Sequence, residues 1–365
     1  MTSTIGTRFF VLSDTHGDEL SRLPKGPVDV AIHCGDLTEE SKLDEFRASV
    51  RLLKEINAPL KLVIAGNHDF TMDVPMFQKK LLDINPPLDD DLVQREYGAF
   101  GKARELFEAE DAKAAGIVFL DEGTHRFALA NGALLTVYAS PYTASVNDWG
   151  SQYNPQQDHE WAVDASVDVV ITHGPPKGVL DYADSKQRAG SQSLFAAIAR
   201  ARPSMHCFGH IHEAWGAKKV TWRSEISETP SHFTDIDNDE STVIETLAGP
   251  RDNKFDSTDI ANQKQQKRTE YNKTGYCAVE SSPKRGTQTL FVNAAIESLI
   301  EKEQQLPWII NLDLPKLTDA SHNHSKSPTP VSKKRRASDA DAEGLVETNK
   351  RQRRSTALDT KKTEL

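Results

Sequence analysis

Five short apolar runs set the rhythm of the first two-thirds of the chain, and each empties into a polar or glycine-bearing loop. Phe9-Phe10-Val11-Leu12 leads into Ser13-Asp14, Val28 to Ile32 toward Gly35-Asp36, and Leu60 to Ile64 into Gly66-Asn67. Asp168-Val169-Val170-Ile171 leads into Thr172-His173, and Met205-His206-Cys207-Phe208 into Gly209-His210. Short, near-continuous runs with many β-branched residues predict strands buried on both faces. Between them, Phe46, Val50, Leu52 and Leu53 recur near helical spacing within Leu43 to Ile56, and Leu194, Ala197 and Ile198 within Ser193 to Ala201. That spacing predicts helices with one buried face. Strand and helix in alternation predict an α/β fold whose ligands gather at the carboxyl ends of strands.

The pattern breaks twice. Ser224 to Gln288 is rich in Asp, Asn, Ser, Thr, Lys and Gln with few apolar residues in series, and predicts a polar insertion at about 224–288 that is largely disordered or weakly packed. Thr289 to Ala294 and Trp308 to Leu312 then predict two further strands, closing a domain over residues 1–315. Residues 316–365 read as a disordered basic tail, with 12 Lys/Arg against 7 Asp/Glu. Its clusters Lys333-Lys334-Arg335-Arg336 and Lys350-Arg351-Gln352-Arg353-Arg354 resemble a bipartite nuclear-import signal. Arg335-Arg336-Ala337-Ser338 and Arg353-Arg354-Ser355 resemble basophilic kinase sites. An import receptor and a kinase are the partners such a tail would meet; a solvated tail with no address is the alternative.

Composition narrows the classes. No stretch approaches the roughly 20 apolar residues of a membrane span, and Met1 to Arg8 lacks the basic and apolar regions of a secretory signal. Three cysteines, Cys34, Cys207 and Cys277, are too few and scattered for a disulfide framework. The expectation is an intracellular protein of the cytoplasm, the nucleus or both. The net charge of −10 leaves a body near −15 once the tail is set aside. An acidic body argues against stable binding of long nucleic acid through its phosphates. A small phosphate ester is not excluded, because bound cations would invert the local field.

The chemistry sits in the loops. Asp14-Thr15-His16, Gly35-Asp36, Gly66-Asn67-His68-Asp69, His173-Gly174 and Gly209-His210-Ile211-His212 are almost wholly metal ligands or glycines beside them. Two divalent metals about 3.5–4 Å apart need a bridging carboxylate and several further O or N donors. Asp36, after a glycine at a strand end, suits the bridge. Asp14 and His16 are two apart, as are His210 and His212, so on extended segments each pair would project the same way. Asn67 and His173 would complete a second set. A ligand set without cysteine suits Mn, Fe or Zn in a working site rather than structural zinc. Water between two such ions loses its proton near neutral pH and can attack phosphorus in line. His68, beside Asn67, is placed to protonate the leaving alkoxide.

In order and residue type these motifs resemble the calcineurin-like metallophosphoesterase superfamily. The resemblance implies that Asp14, His16, Asp36 and His212 hold one metal and that Asp36, Asn67, His173 and His210 hold the other, with His68 the catalytic histidine. Gly66 to Phe70, Ser140-Pro141-Tyr142 with Asn147-Asp148-Trp149, His173-Gly174-Pro175-Pro176 and Gly209 to Glu213 are similar to its metallophosphoesterase-domain-containing branch and that branch's fungal relatives. The branch implies an αββα sandwich and activity on phosphodiesters, including cyclic nucleotides. Asn67 and His68 are the candidate substrate contacts, and the likeness implies Asn147, Asp148 and Trp149 at the pocket rim; a capped helix start with a core tryptophan is the equal alternative for these three. Some members carry glycine for one histidine of the last motif and are weak enzymes; His210 and His212 are both present here.

One departure separates the subclasses. Phosphoprotein phosphatases carry an arginine after Gly-Asp that grips a phosphate dianion, whereas this chain has Leu37-Thr38-Glu39-Glu40-Ser41. Two glutamates there would repel a dianion, which ranks a phosphodiesterase above a phosphomonoesterase or protein phosphatase. The other alternative is a protein that keeps the metal site to bind a nucleotide or a partner with little turnover. Asp69 could orient His68 or hold a loop backbone. His33 and His206, inside apolar runs, read as core histidines, and His125 and His159 have no partner pattern.

Overall fold

The outer pair of layers is built by the helical segments and the inner pair by two sheets, as the computed structural model describes for residues 3–20, 23–24, 26–297 and 304–318. The first sheet runs β13 (Cys277–Val279), β15 (Trp308–Pro315), β1 (Thr4–Leu12), β2 (Val30–His33), β3 (Leu60–Val63) and β4 (Ile117–Phe119). The second runs β12 (Ile236–Thr246), β11 (Gly216–Trp222), β14 (Gln288–Asn293), β10 (Met205–Phe208), β9 (Val169–Thr172), β6 (Leu134–Ser140) and β5 (Gly123–Ala128). Two short strands, β7 (Thr143–Ala144) and β8 (Gln152–Tyr153), pair apart from both.

Alternation along each strand decides which layer each residue joins. Phe9, Val11, Val30, Ile32 and Leu62 of the first sheet meet Val137, Val169, Ile171, Cys207 and Val292 of the second in one apolar cluster. Their neighbours Phe10, Leu12, Ala31 and Val63 face outward onto α1 (Leu43–Glu55). Tyr138, Val170, Phe208 and Phe291 face α6 (Gln192–Ala201) on the far side. Runs buried on both faces are what a sheet covered by helices on one side and by another sheet on the other requires. The αββα sandwich is therefore written in the strands themselves.

The helices end where local chemistry stops them. Glu45 accepts the Lys42 N–H at 2.8 Å at the start of α1. Ser191 Oγ accepts the Leu194 N–H at 3.1 Å at the start of α6, and Arg202 ends that helix in the left-handed region at φ 50°. Four helices between β3 and β4 were not anticipated: α2 (Val74–Asp83), α3 (Asp90–Glu96), α4 (Lys102–Glu108) and α5 (Glu110–Ala114). They are short, and few of their positions are buried, so their apolar stripes are thin.

The polar segment 224–288 departs from expectation. It carries β12, α7 (Thr258–Thr274) and β13, and both strands extend the sheets. Backbone pairing needs no apolar run, and β12 lies at a sheet edge with only two of its eleven residues buried, so hydrophobic patterning could not reveal it. The helix α7 has no buried residue in its span, in keeping with weak packing. The tail's basic clusters and kinase-like sites lie outside the described residues. No helix among the described residues is long and apolar enough to cross a membrane.

His206, expected in the core, is fully buried on β10 between Phe208 and Phe291, with Nε2 2.8 Å from Thr172 Oγ1. Burial pushes its pKa down to about 3. The folded chain then binds one proton fewer than the unfolded chain between pH 6.5 and 3, so stability is intact above 6.5 and drains away as pH falls through that window. His206→Leu is expected to flatten the acid limb of a urea-unfolding series by about 1.4 kcal/mol per pH unit across it. An unchanged slope would mean that the ring already carries a proton in the fold.

Candidate metal centre

Parallel pairing brings the motifs together. β1, β2, β3 and β4 run parallel, as do β6, β9, β10 and β14, so the loops after β1, β2, β3, β9 and β10 emerge at one edge of the sandwich. There the structure gathers Asp14 with His16 and His212, and Asp36 with His173 and His210, with donor atoms of each group within 4.8 Å of one another. A further group joins Asp36 to His16 and His68. Asp36 is thus shared by both sides of the cage, and Asn67 Oδ1 adds to the second side, 3.0 Å from His173 Nε2.

The residues do not meet through extended segments, as their spacing suggested. Asp14, His16, Asp36 and His210 all have positive φ, at 56°, 49°, 52° and 69°. His212 opens a short 3-10 turn, His212–Ala214. Left-handed non-glycine residues are uncommon and cluster at sites where surrounding structure over-determines them. Here the Asp14 N–H donates to the Gly35 carbonyl at 2.9 Å, and the His16 N–H to the Asp36 carbonyl at 3.1 Å. The two loops therefore hold each other in the strained conformation.

The glycines beside the ligands leave no space for a side chain. A Cβ on Gly66 would lie 2.2 Å from Asp36 Oδ1 and 2.3 Å from its backbone nitrogen. One on Gly209 would lie 1.9 Å from Asp14 Oδ2.

Hydrogen bonds select which nitrogen of each ring faces inward. His173 Nδ1 is 2.9 Å from the Cys34 carbonyl, which turns Nε2 toward Asp36 Oδ2 at 3.1 Å and Asn67 Oδ1 at 3.0 Å. His16 Nδ1 lies 3.2 Å from the Thr38 carbonyl and 2.9 Å from Glu39 Oε2. Its Nε2 is buried and makes no hydrogen bond, although Glu297 Oε2 is 3.1 Å away. Ring nitrogens turned toward carboxylate and amide oxygens at such distances are the donors that a bound cation would share, in place of a proton.

Electrostatics point the same way. Burial opposes ionisation of Asp14, yet the hydrogen bond and charge of His212, with His173 and His16 beyond, hold it far below the usual carboxylate range. Asp36 falls to about 2, burial opposing and the His173 charge and hydrogen bond lowering it. Burial would strip His173 and His212 of protons, but Asp36 pushes His173 up to about 9, and Asp14 with Glu297 pushes His212 up to about 11. His210 drops to about 4 through burial and the neighbouring His173 charge. The cage demands positive charge at its centre, and divalent cations would displace the protons that otherwise supply it. The residues present fit two such ions.

His68 stands over the mouth. Its backbone N–H donates to Asp36 Oδ1 at 2.8 Å, and its Nδ1 lies 2.8 Å from the Glu39 carbonyl. The ring stacks on Trp149 at 4.4 Å and meets His16 edge-on at 4.8 Å. Trp149 is thus at the rim, backed by Phe70, with the Lys80 ammonium 4.9 Å from its ring. Asn147, two residues before Trp149, is exposed and its backbone N–H donates to Ser145 Oγ, and no helix starts there. Asp69 accepts from Leu37 N, Thr38 N, Thr38 Oγ1 and Gly66 N at 2.7–3.1 Å, so it ties the Asp36 loop to the Asn67 loop rather than orienting His68. His33, also buried, reaches Thr15 Oγ1 at 3.0 Å and supports the Asp14 loop. His159 pairs with Glu122 at 2.6 Å. Cys34, Cys207 and Cys277 are buried free thiols.

The family model for calcineurin-like phosphoesterases matches residues 7–214, more than half of the chain. The chain belongs to that family. Among curated proteins, the human Metallophosphoesterase domain-containing protein 1 is 31% identical over 220 residues, covering 58% of this chain and 62% of that protein. UPF0046 protein T07D4.2 of Caenorhabditis elegans is 32% identical over 216 residues, covering 57% of this chain and 52% of its own length. The chain thus spans little more than half the length of these relatives. The human relative carries the name of the branch that the motif segments resemble.

Glu297 was missed. It lies outside every motif and beyond the family match, yet its Oε2 is 3.1 Å from His16 Nε2 and 3.0 Å from His212 Nδ1. The available signal was its place just past the Thr289–Ala294 run, the kind of position that every motif occupies. Asn293, at the end of that run, was missed too: its Nδ2 donates to the Ile211 carbonyl at 2.9 Å and fixes the last histidine loop.

Proposed function

We propose that this chain is a metal-dependent phosphoester hydrolase that prefers phosphodiesters of small, nucleotide-sized alcohols. The observation that carries the reading is Asp36, shared by two groups of nitrogen and oxygen donors in a buried, cation-demanding cage. Asp14, His16, Asp36 and His212 would hold one ion, and Asp36, Asn67, His173 and His210 the other. Mn, Fe and Zn all suit that donor set. When bound, the ions supply acidified water and charge neutralisation at phosphorus.

The chain's own side chains supply the rest. His68, with Nδ1 engaged by the Glu39 carbonyl, keeps Nε2 for delivering a proton to the leaving oxygen. Trp149 and the Asp36 carboxylate hold the His68 ring and backbone for that transfer. Glu39 and Glu297 place carboxylates beside His16, and an acidic mouth disfavours a dianionic monoester more than a monoanionic diester. Beyond His212 and Glu297 opens a cavity of about 510 Å³ lined by Tyr182, Arg188, Trp215, Leu247 and Arg251, roomy enough for the organic part of such an ester.

The test is hydrolysis of bis(p-nitrophenyl) phosphate beside p-nitrophenyl phosphate with Mn²⁺, together with metal content. Two metals per chain and faster diester turnover are expected. His68→Ala should lower kcat by about 10²- to 10⁴-fold with both metals retained. Faster monoester turnover would overturn the diester preference. Full metal loading without turnover of either ester would leave a binding protein.

A further inference from the structure

We propose that Glu297 is a positioning residue of the metal centre, holding the His212 ring so that Nε2 faces Asp14. The proposal rests on the reading of the cage as a metal site and adds a residue that none of its motifs contains.

Each inward-facing imidazole needs an acceptor on its outer nitrogen, or the ring is free to present the wrong atom. His173 has the Cys34 carbonyl at 2.9 Å, and His16 has the Thr38 carbonyl at 3.2 Å. Those two acceptors are backbone atoms of the Asp36 loop and come with the fold. His212 has no such carbonyl. Its Nε2 lies 3.1 Å from Asp14 Oδ1, and its Nδ1 lies 3.0 Å from Glu297 Oε2. A neutral ring carries one N–H. Donating it to Glu297 leaves the Nε2 lone pair beside Asp14 and His16, within the group that would hold one ion. The Glu297 carboxylate is the partner that the structure brings to His212 Nδ1.

The backbone places Glu297 firmly. Ala295 bridges to Ser13, and the Ile296 N–H donates to the Ser13 carbonyl at 3.0 Å, one residue before Asp14. Ile296 is buried, and its carbonyl accepts the Gln305 N–H at 2.7 Å. Glu297 thus follows a segment stitched to the loop that carries Asp14 and His16. Its side chain remains 42% exposed, so its removal opens no core cavity. Loss of an outer partner that orients a ligating imidazole weakens metal binding by about 10- to 100-fold.

Calorimetric titration of the metal-free chain with Mn²⁺ tests this, with Glu297→Ala and Glu297→Gln beside the wild type and melting curves as a check of folding. Glu297→Ala is expected to weaken one of the two equivalents by about 10- to 100-fold and to leave the other unchanged. Glu297→Gln keeps an acceptor for Nδ1 and should restore most of the affinity. Wild-type affinity for both equivalents in Glu297→Ala would overturn the proposal. Equal losses in Gln and Ala would overturn it as well, because they would assign the effect to the carboxylate's charge rather than to ring orientation. A wild-type chain that takes up no Mn²⁺ would instead end the metal-site reading itself, and this proposal with it.

Discussion

Asp36→Asn is expected to reduce diester turnover on the order of 10³-fold, a loss of several kcal/mol of transition-state stabilisation, and to leave fewer than two metals per chain. The carboxylate is fully enclosed, and its two oxygens have separate duties: Oδ1 accepts the His68 N–H at 2.8 Å and Oδ2 faces His173 Nε2 at 3.1 Å. Asparagine keeps the shape and one acceptor, so the His68 loop should stay in place. What it loses is the charge that both halves of the cage share. The measurement is metal content by mass spectrometry beside bis(p-nitrophenyl) phosphate hydrolysis and a melting curve. Two bound metals at wild-type affinity in the variant would remove Asp36 from the bridging position.

Gly66→Ala is expected to damage the cage without replacing a ligand. The added carbon would sit 2.2 Å from Asp36 Oδ1, 2.3 Å from the Asp36 nitrogen and 2.7 Å from His173 Cε1. A flexible side chain could swing away; the backbone nitrogen cannot. The Asp36 loop must move, and with it the interlocked Asp14 and His16 backbone bonds. Overpacking of this kind costs about 1–3 kcal/mol, which should appear as a lower melting temperature together with loss of bound metal. A variant with wild-type metal content and turnover would show that the two loops are not in the close contact described.

How much of this was legible beforehand follows from which interactions are local. The strand cores Phe9–Leu12, Leu60–Val63 and Met205–Phe208 were readable because a strand covered on both faces must be apolar at consecutive positions. The helices α1 and α6 were readable because each buries a single stripe. β12 and α7 were not, because an exposed edge strand and a helix with no buried residue leave no apolar trace. The same limit applied within the site. The spacing of Asp14 and His16 suggested an extended pair, whereas both residues are left-handed and held so by bonds to the Asp36 loop.

The sequence alone determined the chemistry of the centre: which donors are present, that they follow strand ends, and that no arginine stands after Gly35-Asp36 to grip a dianion. These are properties of residue type and neighbouring residues, and they need no partner from elsewhere in the chain. The tertiary structure decided which ring nitrogen faces inward, that Asp69 braces two loops, and that Glu297 reaches His16 and His212 from beyond β14. Each of those depends on contacts between residues far apart along the chain, made only when parallel strands from two sheets deliver their ends to one edge. The information is in the packing, because a hydrogen-bond acceptor orients an imidazole by its position in space and not by its place in the sequence.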